Sequence, residues 1–123
     1  MSLLNSLYFI DRSDQTAYTL RFNPSHPIFT GHFPGHPIVP GACLVQIAEE
    51  LTGLCLGHPI RFIAIRNLKF RQPITPDMEV TITIQPITSS TVNCQFSILN
   101  YQLSIIISAS FTASYMCPDS NVQ

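Results

Sequence analysis

Charge is what this chain has least of: charged residues make up 11% of its 123 residues, well below the roughly 25% usual for soluble domains. Set against a hydrophobic content of 46%, this leaves apolar surface that something other than water must cover. The expected cover is a second copy of the chain, a homodimer or higher oligomer. The six basic residues form no run and the net charge is −1, which argues against a nucleic-acid footprint and against a polybasic membrane patch. Long apolar runs are missing too. The longest, LSIIISASF from Leu103 to Phe111, is broken by serines and falls far short of the roughly 20 residues of a membrane helix. The N-terminal stretch MSLLNSLYFIDRSD has no basic n-region and no small-residue cleavage site, so a cytoplasmic protein is expected. Cys43, Cys55, Cys94 and Cys117, at spacings of 12, 39 and 23, match neither a metal-ligand pattern nor a disulfide scaffold. They are expected to be reduced thiols acting as small hydrophobes, with no metal and no cofactor.

What is present is period two. Val80, Ile82 and Ile84 alternate with Glu79, Thr81, Thr83 and Gln85; Val92, Cys94, Phe96 and Ile98 follow the same rule, as do Leu103, Ile105, Ile107, Ala109 and Phe111. Such rows predict antiparallel strands with one buried face. RFIAIRNLKFRQPI from Arg61 adds another strand, and SLYFIDR and TAYTLRF, joined at SDQ, add two more. Between these groups lies the one convincing helix, Ala42 to Cys55, opened by Pro40-Gly41 and closed near Gly53 and Gly57. Leu44, Ile47, Ala48, Leu51, Leu54 and Cys55 form its apolar stripe, widened by Val45. One helix against about six antiparallel strands is an α+β domain, expected over residues 1–117 with a frayed tail at 118–123.

The segment FNPSHPIFTGHFPGHPIVPGA carries prolines at 24, 27, 34, 37 and 40 and glycines at 31, 35 and 41. Prolines fix φ and hold the residues before them extended, so the segment reads as a stiff loop. Stiffness suits a side chain that must be held in reactive geometry. His32 sits in its most apolar part, between Gly31 and Phe33-Pro34. That setting favours a neutral imidazole, as a general base requires. The plain alternative is a histidine satisfied by backbone hydrogen bonds. His26, His36 and His58 read as structural or surface residues.

GHFPGHPIVPG followed by an apolar helix, with IRFIAIRNLKFRQPITPD some twenty residues on, resembles the hotdog-fold 3-hydroxyacyl-acyl carrier protein dehydratases. The resemblance runs from about Phe22 to Phe111. It implies a long central helix wrapped by a curved antiparallel sheet, and active sites shared between two subunits. It implies His32 as the base at the substrate α-carbon and the Gly41 N–H as donor to the thioester carbonyl, with Phe33, Pro40 and Cys43 lining the acyl group. Helix N-termini suit that donor role because their amides are unpaired. The family's acid, fourteen positions after the histidine, falls on Gln46, and the glutamine that follows it by four falls on Glu50. The pair is exchanged, one helical turn and about 6 Å apart.

Two readings follow from the exchange. Glu50, directly or through a water, supplies the proton to the leaving hydroxyl; or the chain binds acyl groups without turning them over, as a partner subunit. Thioester hydrolysis on the same fold is a further alternative, against which the histidine block speaks. Glu49 reads as exposed or structural. Lys69 and Arg71, expected on one strand face with Leu68 and Phe70 on the other, are candidates to steer an acidic acyl carrier protein or its phosphopantetheine arm. The family's proline-glycine-aspartate turn appears as Pro76-Asp77, without its glycine.

Overall fold

The computed structural model describes residues 2–31, 35–100 and 102–118; His32, Phe33 and Pro34 lie outside the described residues, as does most of the tail. Eight elements follow in order: β1 (Tyr8–Asp14), β2 (Ala17–Phe22), α1 (Ile28–Gly31), α2 (Gly41–Leu56), β3 (Arg61–Phe70), β4 (Glu79–Thr88), β5 (Thr91–Leu99) and β6 (Ile105–Met116). The strands form one antiparallel sheet in the order β1-β2-β4-β5-β6-β3. Helix α2 lies against it, and Leu44, Ile47, Ala48 and Leu51 join Val80, Ile82, Ile84, Val92, Cys94 and Phe96 in one buried cluster. The α+β arrangement expected from the period-two rows is present.

Both hairpin strands β4 and β5 bury the rows that the alternation marks. In β6 the phase is different. Phe96 pairs with Ala109 but Ser97 pairs with Ile107, so Ser108 is an extra residue, a bulge. Beyond it Ala109, Phe111, Ala113 and Tyr115 face the core, whereas before it Ile106 is the inward residue and Ile105 and Ile107 are 75% and 40% exposed. The expected single row from Leu103 to Phe111 is therefore broken. The cause is tertiary: the buried Ser108 carbonyl accepts from Arg71 N (2.8 Å) and Gln72 N (3.2 Å), and its hydroxyl donates to the Gln72 carbonyl. Leu103, also expected in the strand, sits at φ 63° in the turn before it.

Helix α2 starts one residue earlier and ends one later than the sequence suggests. Its buried face includes Thr52, fully enclosed, whereas Leu54, expected in the stripe, is 52% exposed. Thr52 tolerates burial because its hydroxyl donates to Ala48 O at 2.7 Å. The helix closes on Gly57 in the left-handed region at φ 86°, whose N–H bonds Gly53 O.

The stiff loop contains a short helix, α1, that periodicity could not reveal in four residues. His26 starts it, its Nδ1 accepting from Ile28 N at 3.1 Å, which makes His26 structural as expected. Val39 N donates to Ile74 O at 2.7 Å, tying the approach to α2 to the segment after β3. The Pro76-Asp77 turn needs no glycine: Met78 N reaches Thr75 O at 3.1 Å, the Thr75 hydroxyl bonds the Asp77 carboxylate, and Asp77 is not among the residues with positive φ.

Burial has a consequence at high pH. It pushes the Cys94 thiol up from 9.0 to about 12, and raises the Tyr8 hydroxyl as well, helped by the neighbouring Glu50 carboxylate. Unfolding returns both groups to their ordinary values, so above about pH 9 the unfolded chain releases protons that the folded chain keeps. Stability should be insensitive to these groups below about pH 9 and fall above it. Urea midpoints measured from about pH 7 to about pH 10 check this; a midpoint that climbs with pH would contradict it.

Candidate active site

Helix α2 begins at Pro40-Gly41 without a side-chain cap. The Pro40 carbonyl accepts from Cys43 N (3.0 Å) and Leu44 N (3.2 Å), while the amides of Gly41 and Ala42 have no acceptor among the described residues. Unpaired N–H groups at the positive end of a helix suit a carbonyl oxygen that gains charge. Gly41 lines a cavity of about 420 Å³ together with Val39, Leu44, Phe70, Arg71 and Ile74, among others. The ring of Phe70 lies directly on Gly41. A Cβ there would meet Phe70 Cζ at 2.7 Å, so the glycine is needed for close approach rather than for its φ. Cys43 is half-buried, and burial raises its thiol pKa.

Gln46 and Glu50 share one side of α2, with Gln46 Nε2 donating to Glu50 Oε2 at 3.1 Å. Glu50 has further partners that the sequence does not disclose. Its Oε2 accepts from Leu3 N (2.8 Å), and its Oε1 from Tyr8 Oη (2.8 Å), Leu4 N (3.1 Å) and Ser2 Oγ (3.4 Å). The first turn of the chain is thus bound to the helix through one carboxylate. Glu49 also has a structural task, accepting from Phe62 N at 2.8 Å.

Glu49 and Glu50 border a separate cavity of about 600 Å³ with Leu4, Gly53, Leu54 and Ile60. It shares no residue with the cavity at Gly41. A single chain therefore does not bring Glu50 to the helix N-terminus.

The two basic candidates are also divided. Lys69 borders a polar groove of about 390 Å³ on the sheet, with Asn67, Gln85, Asn93 and Thr112, whereas Arg71 borders the cavity at Gly41. Their expected common face is lost because β3 ends at Phe70, so that Arg71 no longer follows the strand alternation. His36 is exposed and His58 lies in a surface turn, its Nδ1 3.6 Å from Cys117 Sγ. Among the described residues no group of acidic, histidine and cysteine side chains could hold a metal ion.

The antiparallel sheet order and the long helix seated on it define a hotdog-fold protein. The model of the ApeI-like family, described as ApeI dehydratase, matches residues 10–109, and the chain belongs to that family. Curated relatives include a 3-hydroxyacyl-[acyl-carrier-protein] dehydratase FabZ of Geotalea uraniireducens, 36% identical over 53% of this chain and 51% of the relative. Another FabZ, of Agrobacterium fabrum, is 30% identical over 67% of this chain and 58% of the relative. The chain spans about half the length of the curated relatives it matches. Among solved structures, an uncharacterized protein from Erwinia carotovora subsp. atroseptica superposes with a TM-score of 0.73 at 22% identity, covering 91% of this chain and 96% of that one. The dehydratase heterocomplex ApeI:P from Xenorhabdus doucetiae gives 0.66 at 16% identity, over 90% and 97%. The dehydratase domain of RzxB from Pseudomonas fluorescens gives 0.69 at 14%, over 94% and 45%. At these identities the structural likenesses concern the fold alone.

The contact between Gly41 and Phe70 can be tested by a cycle. Gly→Ala at a compatible helical position stabilises by about 0.4–1 kcal/mol. Here that gain should be offset by displacement of the Phe70 ring, and should reappear when Phe70 is already Ala. Urea denaturation of the two single variants and the double variant measures the coupling, and strict additivity would refute the contact.

Proposed function

We propose that this chain removes water from a 3-hydroxyacyl thioester carried on an acyl carrier protein, giving the trans-2-enoyl thioester. The observation that carries the reading is the uncapped start of α2, where Gly41, the first of two residues whose amides have no acceptor among the described residues, lines a largely apolar cavity. In the proposed reaction those amides receive the thioester carbonyl, and Pro40, Cys43 and Phe33 border the acyl group. His32 takes the α-proton, the electron pair of the C–H bond becomes the double bond, and the hydroxyl leaves with the Cβ–O electron pair, taking a proton from Glu50, directly or through a water, to depart as water. Arg71, at the same cavity, is the better placed of the two basic residues to meet a phosphopantetheine phosphate; Lys69 is left to the sheet groove.

The side of α2 that carries Gln46 and Glu50 would then meet the hydroxyl of a substrate bound mainly by a second subunit. Two observations support such pairing. Strand β3 is a sheet edge, and it exposes Ile63 (60%), Leu68 (45%) and Phe70 (54%), a row of apolar side chains that an unpaired edge would leave in water.

The decisive experiment is incubation with 3-hydroxyacyl thioesters of graded chain length, read by mass for loss of water. Release of a free thiol instead would favour hydrolysis. His32→Ala should lower the rate by about 10²- to 10⁴-fold, the usual cost of losing a general base. Wild-type rates in that variant would remove His32 from the mechanism. Sedimentation should show a dimer at micromolar concentration. Ile63→Asp combined with Leu68→Asp should shift it to monomer and abolish dehydration together; a fully active monomer would sink the shared site.

A further inference from the structure

Phe70 is the last residue of β3, and its backbone is held on both sides. It pairs with Ala109 on β6, and the two amides that follow it, Arg71 N and Gln72 N, donate to Ser108 O at 2.8 and 3.2 Å. Residues directly opposite on neighbouring strands share a face of the sheet. Ala109 is buried in the core, so Phe70 turns towards α2. With the backbone pinned, only rotation about its side-chain bonds can move the ring. An outward turn would give still more apolar surface to water from a residue that is already 54% exposed.

The ring comes to rest on Gly41. Its Cζ, Cε2 and Cε1 atoms stand 2.7, 2.9 and 3.3 Å from the place a Cβ on Gly41 would take, so the flank of Gly41 beneath the ring has no room for a single methyl group. Both residues line the cavity of about 420 Å³. In the reaction proposed above, the Gly41 amide receives the thioester carbonyl, and the present inference rests on that reading. The thioester sulfur and the α-carbon are each two covalent bonds from the carbonyl oxygen and must be accommodated beside Gly41; the far end of the acyl chain is many bonds away. We propose that Phe70 is a specificity-determining residue: its ring, seated on Gly41, excludes a branch at the α-carbon, so that the site accepts straight-chain acyl thioesters and rejects their 2-methyl counterparts. The ring does not measure chain length. A 2-methyl-3-hydroxyacyl group keeps one α-hydrogen, so its dehydration is chemically open and its rejection is steric.

The test compares ratios, which cancel any general loss of folding or of subunit pairing in a variant. Wild-type kcat/KM for 3-hydroxybutanoyl pantetheine should exceed that for 2-methyl-3-hydroxybutanoyl pantetheine by about 10-fold or more, the size set by one carbon too many in a close-fitting site. Phe70→Ala should bring the two close to equality, and Phe70→Leu should fall between. The preference between 3-hydroxybutanoyl and 3-hydroxyoctanoyl pantetheine should be the same in all three proteins. Equal wild-type rates on the straight and branched substrates overturn the proposal. So does discrimination that survives Phe70→Ala, or a variant that alters the chain-length preference alone.

Binding separates the role of Phe70 from the reaction itself. Calorimetric titration with butanoyl pantetheine and 2-methylbutanoyl pantetheine, neither of which has a hydroxyl to lose, should show the same preference in the wild type and its loss in Phe70→Ala. If the wild type dehydrates nothing yet shows that pattern of binding, the dehydration reading falls and the role of Phe70 stands. If it binds both thioesters alike, or neither, the role of Phe70 falls. Should Phe70→Ala fail to fold, the milder Phe70→Leu carries both comparisons, and an unchanged ratio in it overturns the proposal.

Discussion

Everything that matters about the site depends on how one face of α2 is seated on the sheet. Leu44, Ile47, Ala48 and Leu51 are all less than 5% exposed, and each is worth roughly 1–3 kcal/mol of burial according to its size. Rotating the helix by one residue, about 100°, would lift part of that row into water. The seating therefore fixes three things at once: where the Gly41 amides point, which side carries Gln46 and Glu50, and how far the first turn of the chain must reach to meet them.

The sequence discloses this architecture unevenly, and the differences have physical reasons. Strands β4 and β5 sit in the sheet interior, so their alternation is read directly from apolar and polar types. Strand β6 is also interior, but its phase depends on Ser108, whose extra position is sustained by amides of Arg71 and Gln72 from another part of the chain. No local pattern contains that information. Thr52 and Leu54 make the same point on the helix: the sheet decides which side is enclosed, and a hydroxyl that can bond its own helix is accepted there ahead of a leucine.

The candidate site was legible only where its features are local. A proline-glycine pair before an apolar run marks an open helix start, and that start is found bordering a cavity. What could not be read was the company of Glu50, four of whose partners lie more than forty residues earlier, two of them backbone amides, which every sequence contains. The same is true of Phe70 over Gly41. Lys69 and Arg71 looked equivalent on a regular strand, and the strand's end at Phe70, between them, lets them border different surfaces.

Strand order also bears on how the chain reaches this state. Strand β3 pairs with β6 alone, across the whole β4–β5 hairpin. Until Ile105–Met116 is in place, Arg61–Phe70 has no ladder on either side, although α2 before it can already form. Closing contacts over such separations is slow, because loop entropy is lost before any pairing compensates it. During that interval Ile63, Leu68 and Phe70 lie along an open edge, which makes this strand the segment of the chain most exposed to pairing with the wrong neighbour.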